Sequence, residues 1–127
     1  MAEFGLVETL TLQAAADLSA KQYHFVRLSA AQKCNQASEA ANSATVGVLQ
    51  NKPKVDEFAT VGFFGKSKIV AGGAVTAGDI LTTNSSGRAA VVTSGQMAAG
   101  RSLDTAGADG DIITALLFPP VKWFGAP

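Results

Sequence analysis

The sequence predicts an all-β protein, a small compact sandwich or barrel-like domain, and three observations carry that prediction. Strand-type runs recur at intervals of about 8 to 12 residues, the rhythm of sandwiches and barrels. Clusters such as NKPK, NSSG and AGADG separate the runs with turn-forming residues. Few positions demand helix, and the segment of helix-forming composition, residues 29–44, lacks an apolar stripe at helical spacing. Roughly seven to nine short strands are expected on this basis.

Taken in order, FGLVETLTL (4–12) alternates loosely and is rich in Leu, Val and Thr, so it is either a strand or an extended arm. QAAADLSAKQ (13–22) interrupts it and is expected to turn around Asp17 and Ser19. YHFVRL (23–28) is a strand. SAAQKCNQASEAANSA (29–44) has helix-forming composition without an apolar face, and is expected to be a loop with at most a short helical turn. TVGVLQ (45–50) is a strand, NKPK a turn, and EFATVGFF (57–64) the strongest strand of the chain. GKS (65–67) is expected to turn and KIVA (68–71) to return. GDILTT (78–83), RAAVV (88–92), the weaker MAAGRSL (97–103) and DIITALLF (111–118) complete the strands. The tail PPVKWFGAP cannot join the middle of a sheet, because proline offers no ladder donor. The division that follows is an N-terminal arm (1–14), a β domain (15–118) and a Pro-rich C-terminal tail (119–127). AGDIL (77–81) and DGDII (109–113) echo each other as Gly-Asp turns feeding strands.

Composition narrows the function. The 127 residues suit one domain. They are 47% hydrophobic and 16% charged, against about 25% charged in an ordinary soluble domain. Such a surface is compatible with burial in an assembly. Formal net charge is zero and no Lys/Arg cluster occurs, so the electrostatic footprint of nucleic-acid binding is missing. No apolar run is long enough for a membrane-spanning helix, and MAEFGLVETLTLQ lacks the pattern of a signal peptide, so use without export is expected.

Each motif that could carry chemistry has a plainer reading. VAGGAVTAGDIL (70–81) has two glycines at phosphate-loop separation, Gly73 and Gly78, but Asp79 stands where the lysine belongs. Gly65-Lys66-Ser67 has Thr60 in place of the required upstream glycine. Both stretches are expected to be turns. His24, the chain's one histidine, has no nucleophile elbow to serve, and strand alternation places it opposite Tyr23 and Phe25 on an exposed face. Cys34 is the one cysteine and forms no intrachain disulfide or zinc cluster. Asp104, Asp109 and Asp111 lack the closing Glu of a calcium loop and are expected in turns. Asn84-Ser85-Ser86 is a turn as well. Trp123 and Phe124 either fold back on the domain or dock on a partner, and Phe4 to Leu12 raises the same choice.

The order of segments resembles the small capsid decoration (cement) proteins of tailed bacteriophages. The resemblance runs over about residues 15–118. Its best marks are Val46-Gly47-Val48-Leu49-Gln50, Ala71-Gly72-Gly73-Ala74-Val75 and Gly78-Asp79-Ile80-Leu81-Thr82 followed by Gly87-Arg88. Residues 97–103 match loosely. The resemblance implies a structural virion protein on the capsid exterior, assembled in the host cytoplasm and clamping neighbouring major capsid protein subunits as a homotrimer. It implies no enzyme, catalytic residue, cofactor, metal, nucleic acid, membrane or small-molecule substrate. The extended termini often make the contacts in such proteins, which points to Phe4, Leu6, Val7, Leu10 and Leu12 at one end. At the other end it points to Trp123 and Phe124. Deleting residues 2–12 is then expected to weaken capsid binding and leave the domain folded. A small ligand-binding or enzymatic barrel, or a tail or fibre accessory domain, is the alternative.

Overall fold

β-Branched and aromatic residues, paired across tight turns, make every regular element a strand. The computed structural model describes residues 6–38 and 44–124, and no helix occurs among them. The strands are β1 (Val7–Ala14), β2 (Phe25–Ala30), β3 (Lys33–Gln36), β4 (Thr45–Leu49) and β5 (Phe58–Val70). They continue as β6 (Ile80–Thr83), β7 (Ala89–Val91), β8 (Met97–Ser102) and β9 (Ile112–Lys122). The sheet order is β1-β3-β2-β4-β5-β9-β8-β6-β7, and β1 also pairs with β5. That extra pairing closes β1, β3, β2, β4 and β5 into a barrel and removes their free edges. The β9-β8-β6-β7 part leaves the barrel wall as an open sheet.

β5 belongs to both halves. Its first part pairs with β1 and β4, and its last part with β9. The expected turn at 65–67 does not form. Instead the strand bulges. Glu8 faces Phe64 while Thr9 faces Gly62, so Phe63 is the extra residue. Gly65 follows with φ of 108°, and a Cβ there would collide with the Leu6 carbonyl oxygen. The glycine that suggested a turn thus lets one strand bend from barrel to sheet.

Three further expectations change. Residues 29–44 were expected to form a loop, but β2 runs to Ala30 and turns at Gln32, with φ of 59°, into β3. Cys34 is there buried among barrel residues, and sheet pairing overrides the helical composition. β1 lies in the chain's own barrel, which resolves the choice for residues 7–12 in favour of a strand of this sheet. Deleting residues 2–12 would remove most of β1 and with it the barrel's closure, so such a deletion is not expected to leave the domain folded. Finally, β9 continues past Phe118 to Lys122. Leu117 pairs with Gly100 and Val121 with Ala98, so residues 118–120 stand opposite Ala99 alone. Pro119 and Pro120 fall inside that bulge, and β5 pairs with β9 only as far as Leu117. Their missing N–H groups therefore break no ladder.

One turn recurs at the entry to four strands. In Thr76–Asp79 the Asp79 carboxylate accepts the Thr76 N–H at 2.9 Å, while the Asp79 N–H bonds the Thr76 carbonyl at 3.0 Å. Ala108–Asp111 repeats both bonds at 3.1 and 3.3 Å. Thr93–Gln96 and Lys54–Glu57 do the same through the Gln96 and Glu57 side chains. The third residue is left-handed every time: Gly78, Gly110, Gly95 and Asp56 have φ of 98°, 95°, 91° and 67°. β6, β9, β8 and β5 begin at the residue after each turn. The echo between AGDIL and DGDII is therefore one device used twice, and the structure shows two more copies.

Two buried clusters hold these parts together. Leu12, Leu18, Val26, Leu49 and Val61 fill the barrel. Phe25 and Val48 of the barrel meet Ile69, Leu81, Ile113 and Leu117 in the larger cluster, which joins barrel to sheet. Buried alanines such as Ala71, Ala89, Ala99 and Ala115 let the backbones approach closely there.

Candidate docking face

Strands buried on both sides are apolar at successive positions, whereas half-exposed strands alternate. β9 reads IITALLF and the middle of β5 reads VGFF, which are two-sided runs. The fold covers one side of them and, on the other side of β9, Thr114. Ile113, Ala115 and Leu117 point into the larger core, while Ile112 and Leu116, of opposite parity, are exposed.

The register assembles the uncovered side. The Lys66 N–H bonds the Leu6 carbonyl at 3.0 Å. Lys66 pairs with Leu116, Leu116 with Arg101, and Arg101 with Ile80. Cross-strand partners share a face, so Leu6, Lys66, Leu116, Arg101 and Ile80 form one row across the outer surface, alternating apolar and cationic. Phe64, two residues before Lys66, lies on the same face beside Glu8. Leu6 is 95% exposed, Phe64 53% and Leu116 43%. Arg101 donates to the Gly78 carbonyl at 3.0 Å, which fixes that end of the row to the turn before β6. Farther along β9, Val121 is also exposed.

The residues singled out from sequence lie in different surroundings. Leu6 and Phe124 are solvent-facing, Phe124 at 75%. Leu12 is buried in the barrel core, and Val7 and Leu10 pack against the two cores. Alternation along β1 turns Leu10 and Leu12 into the barrel, while Val7, of opposite parity, reaches the larger core beyond the register shift between Glu8 and Thr9. Trp123 is half-buried, and its backbone pairs with Gln96 and Gly95 at 2.7 and 2.6 Å, extending the β8–β9 ribbon. Phe4 lies outside the described residues. Sequence reasoning missed Phe64, Ile112 and Leu116, and the unbroken apolar runs around them were the available signal.

Chemistry-bearing residues are occupied with structure. His24 is buried, contrary to the alternation argument, because the expected strand over 23–28 begins only at Phe25 and Tyr23 turns before it with φ of 65°. Its Nδ1 lies 3.1 Å from the Gln22 carbonyl and its Nε2 3.3 Å from Arg88 Nε. Burial pushes its pKa down from the ordinary 6.5, with Lys21 and Arg88 adding to that and the backbone bonds opposing it. Burial raises the Cys34 thiol, and no hydrogen bond joins it to His24 among the described residues. Ser67 is buried within β5, taking a bond from Gln50 and giving one to Lys68. Asp104 accepts the Thr114 N–H at 2.9 Å, Asp109 pairs with Arg88 and Asp111 closes its turn. Asn84 accepts the N–H groups of Ser86 and Arg88, as a turn residue should. No group of three His, Cys, Asp or Glu suited to a metal ion occurs among the described residues.

No protein-family profile matches the sequence, and no curated protein matches it. The fold is similar to that of the N base of the head fiber gp8.5 of bacteriophage phi29. The TM-score is 0.66 at 16% identity, over 93% of this chain and 100% of that one.

Proposed function

We propose that this chain is a structural virion protein that docks on the outside of a phage head through the Leu6–Phe64–Leu116 face. The observation that carries the reading is that Phe64 of β5 and Ile112 and Leu116 of β9 face outward uncovered, while Ile113, Ala115 and Leu117 of β9 are buried. Large apolar side chains set between cations on an open sheet face are costly to leave in water, and a partner surface would cover them. The likeness of fold to a phage head fiber base, together with the resemblance of segment order to cement proteins, supports a head over other assemblies. The partner we infer is the major capsid protein, with the chain clamping neighbouring subunits as a trimer. Many modest contacts over one lattice would then reinforce each other. The role needs binding surface and no turnover, in keeping with a His24 ring already committed to Gln22 and Arg88.

A second reading is the base of a head fibre, favoured by the likeness of fold to the gp8.5 N base. Both readings place the chain on the head, and a map of the particle separates them by whether a shaft rises from the domain. Binding is tested with Leu116→Glu and Phe64→Glu in co-sedimentation with purified heads. Loss of binding by folded variants is expected. Wild-type occupancy by both variants would overturn the assignment of this face.

A further inference from the structure

His24 lies away from the docking row, at the joint between the barrel and the open sheet. Tyr23, just before it, bonds the Leu49 carbonyl of β4 through its N–H and the Val70 N–H of β5 through its carbonyl. That fixes the left-handed backbone that sends the imidazole inward. The ring's two nitrogens then have defined roles. Arg88 Nε is always a donor, so His24 Nε2 at 3.3 Å accepts, and the proton sits on Nδ1, which donates to the Gln22 carbonyl at 3.1 Å. At its other end Arg88 Nη1 pairs with Asp109 Oδ1 at 2.7 Å. The chain His24–Arg88–Asp109 thus ties the residue before β2 to the residue before β7 and to the turn before β9. One backbone bond runs beside it, from the Phe25 N–H to the Gly87 carbonyl at 2.6 Å.

We propose that His24 and Arg88 form an acid-released latch between the barrel and the β6–β7 hairpin. The proton would add at Nε2, the lone pair that now receives the Arg88 N–H. With it in place two donors face each other and the bond is gone. The charged groups around the ring make the change one-way. Lys21 and Arg88 are cations beside it, Tyr23 is its uncharged neighbour, and the one carboxylate in the relay, Asp109, is at the far end of Arg88. An imidazolium there meets two positive charges in a buried position, and moving Arg88 out with Asp109 relieves the contact. The latch stays shut through neutral pH, because burial and the two cations lower the affinity of the ring for its proton.

The test uses the whole chain. It contains a single histidine, so ring nitrogen signals in NMR need no assignment. At about pH 7.5 the Nδ1–H tautomer is expected, and titration is expected below the ordinary 6.5. As pH falls from 6.5 toward that titration, exchange protection of the Phe25 amide should fall by up to about tenfold per pH unit. The Gln50 amide, bonded to Thr60 within the barrel, should keep its protection. His24→Gln keeps a polar side chain that takes no proton, and Phe25 protection should then be independent of pH. Arg88→Gln removes one cation and should raise the His24 pKa. Titration at or above 6.5, or Phe25 protection unchanged through it, would overturn the latch. So would a His24→Gln protein that loses protection as the wild type does. Should His24→Gln fail to fold, the wild-type titration and Arg88→Gln still decide.

Discussion

Leu116 and Leu117 are neighbours in β9 with opposite fates, and truncating each in turn gives opposite results. Leu117 is 1% exposed and packs in the larger core, with its Cδ2 3.4 Å from where a Cβ on Gly100 would sit. Leu117→Ala removes about three methylene-sized groups at about 0.8 kcal/mol each, and the rigid ladder on both sides of β9 resists collapse into the hole. Transfer and cavity terms together come to about 3 kcal/mol. Leu116 is already 43% exposed, so Leu116→Ala loses only part of the transfer term and leaves no cavity, about 1 kcal/mol or less. Urea unfolding followed by the fluorescence of the chain's one tryptophan measures both. Binding to heads should rank the other way, with Leu116→Ala impaired and folded Leu117→Ala near wild type. Equal stability losses, or a larger loss at Leu116, would refute the sidedness of β9 and the docking face derived from it.

Other perturbations test separate parts of the account. Gly110→Ala puts a side chain at φ of 95° and should destabilise by about 1 kcal/mol, whereas Asp56→Gly relieves the same strain at the matching turn and should stabilise by a few tenths to about 1 kcal/mol; denaturant midpoints check both. Asp79→Ala removes the acceptor for the Thr76 N–H and should cost about 1 kcal/mol, as losing a comparable cap does. Because the folded-state pKa of His24 is depressed, the unfolded chain binds the proton more readily. Its contribution to stability is then complete above 6.5 and is lost as pH falls toward the folded value. A His24→Gln variant should show a flatter stability profile across that window. Cys34, buried with its thiol pKa raised, should resist an alkylating reagent in the native protein and react at the rate of unfolding.

What was legible in the sequence was the local chemistry. Alternation and β-branching located β4, β6 and the first half of β5, and the Gly-Asp pairs located the turns before β6 and β9. The long-range pairings were not legible. Nothing local tells that Lys33–Gln36 finds β1 and β2 as partners, or that Gly65 bends a strand instead of ending it. Proline's missing donor argued correctly against a central ladder at 119–120, but the bulge opposite Ala99 that accommodates both prolines depends on β8. His24 was misplaced for a similar reason. Alternation assumes ordinary strand dihedrals, and Tyr23 departs from them under the hold of β4 and β5. The candidate site was half legible. Leu6 and Phe124 were picked as large apolar residues near the termini. Phe64 and Leu116 sit in unbroken apolar runs, whose pattern alone does not tell the covered side from the open one.

A cryo-EM map of phage heads saturated with this chain tests the central claim most directly. Capsid protein density is expected over Leu6, Phe64 and Leu116, with the barrel face around β2 and β3 turned away from the shell. A domain bound with the β5–β9 face open to solvent, or heads that carry no density for the chain at saturating concentration, would contradict it.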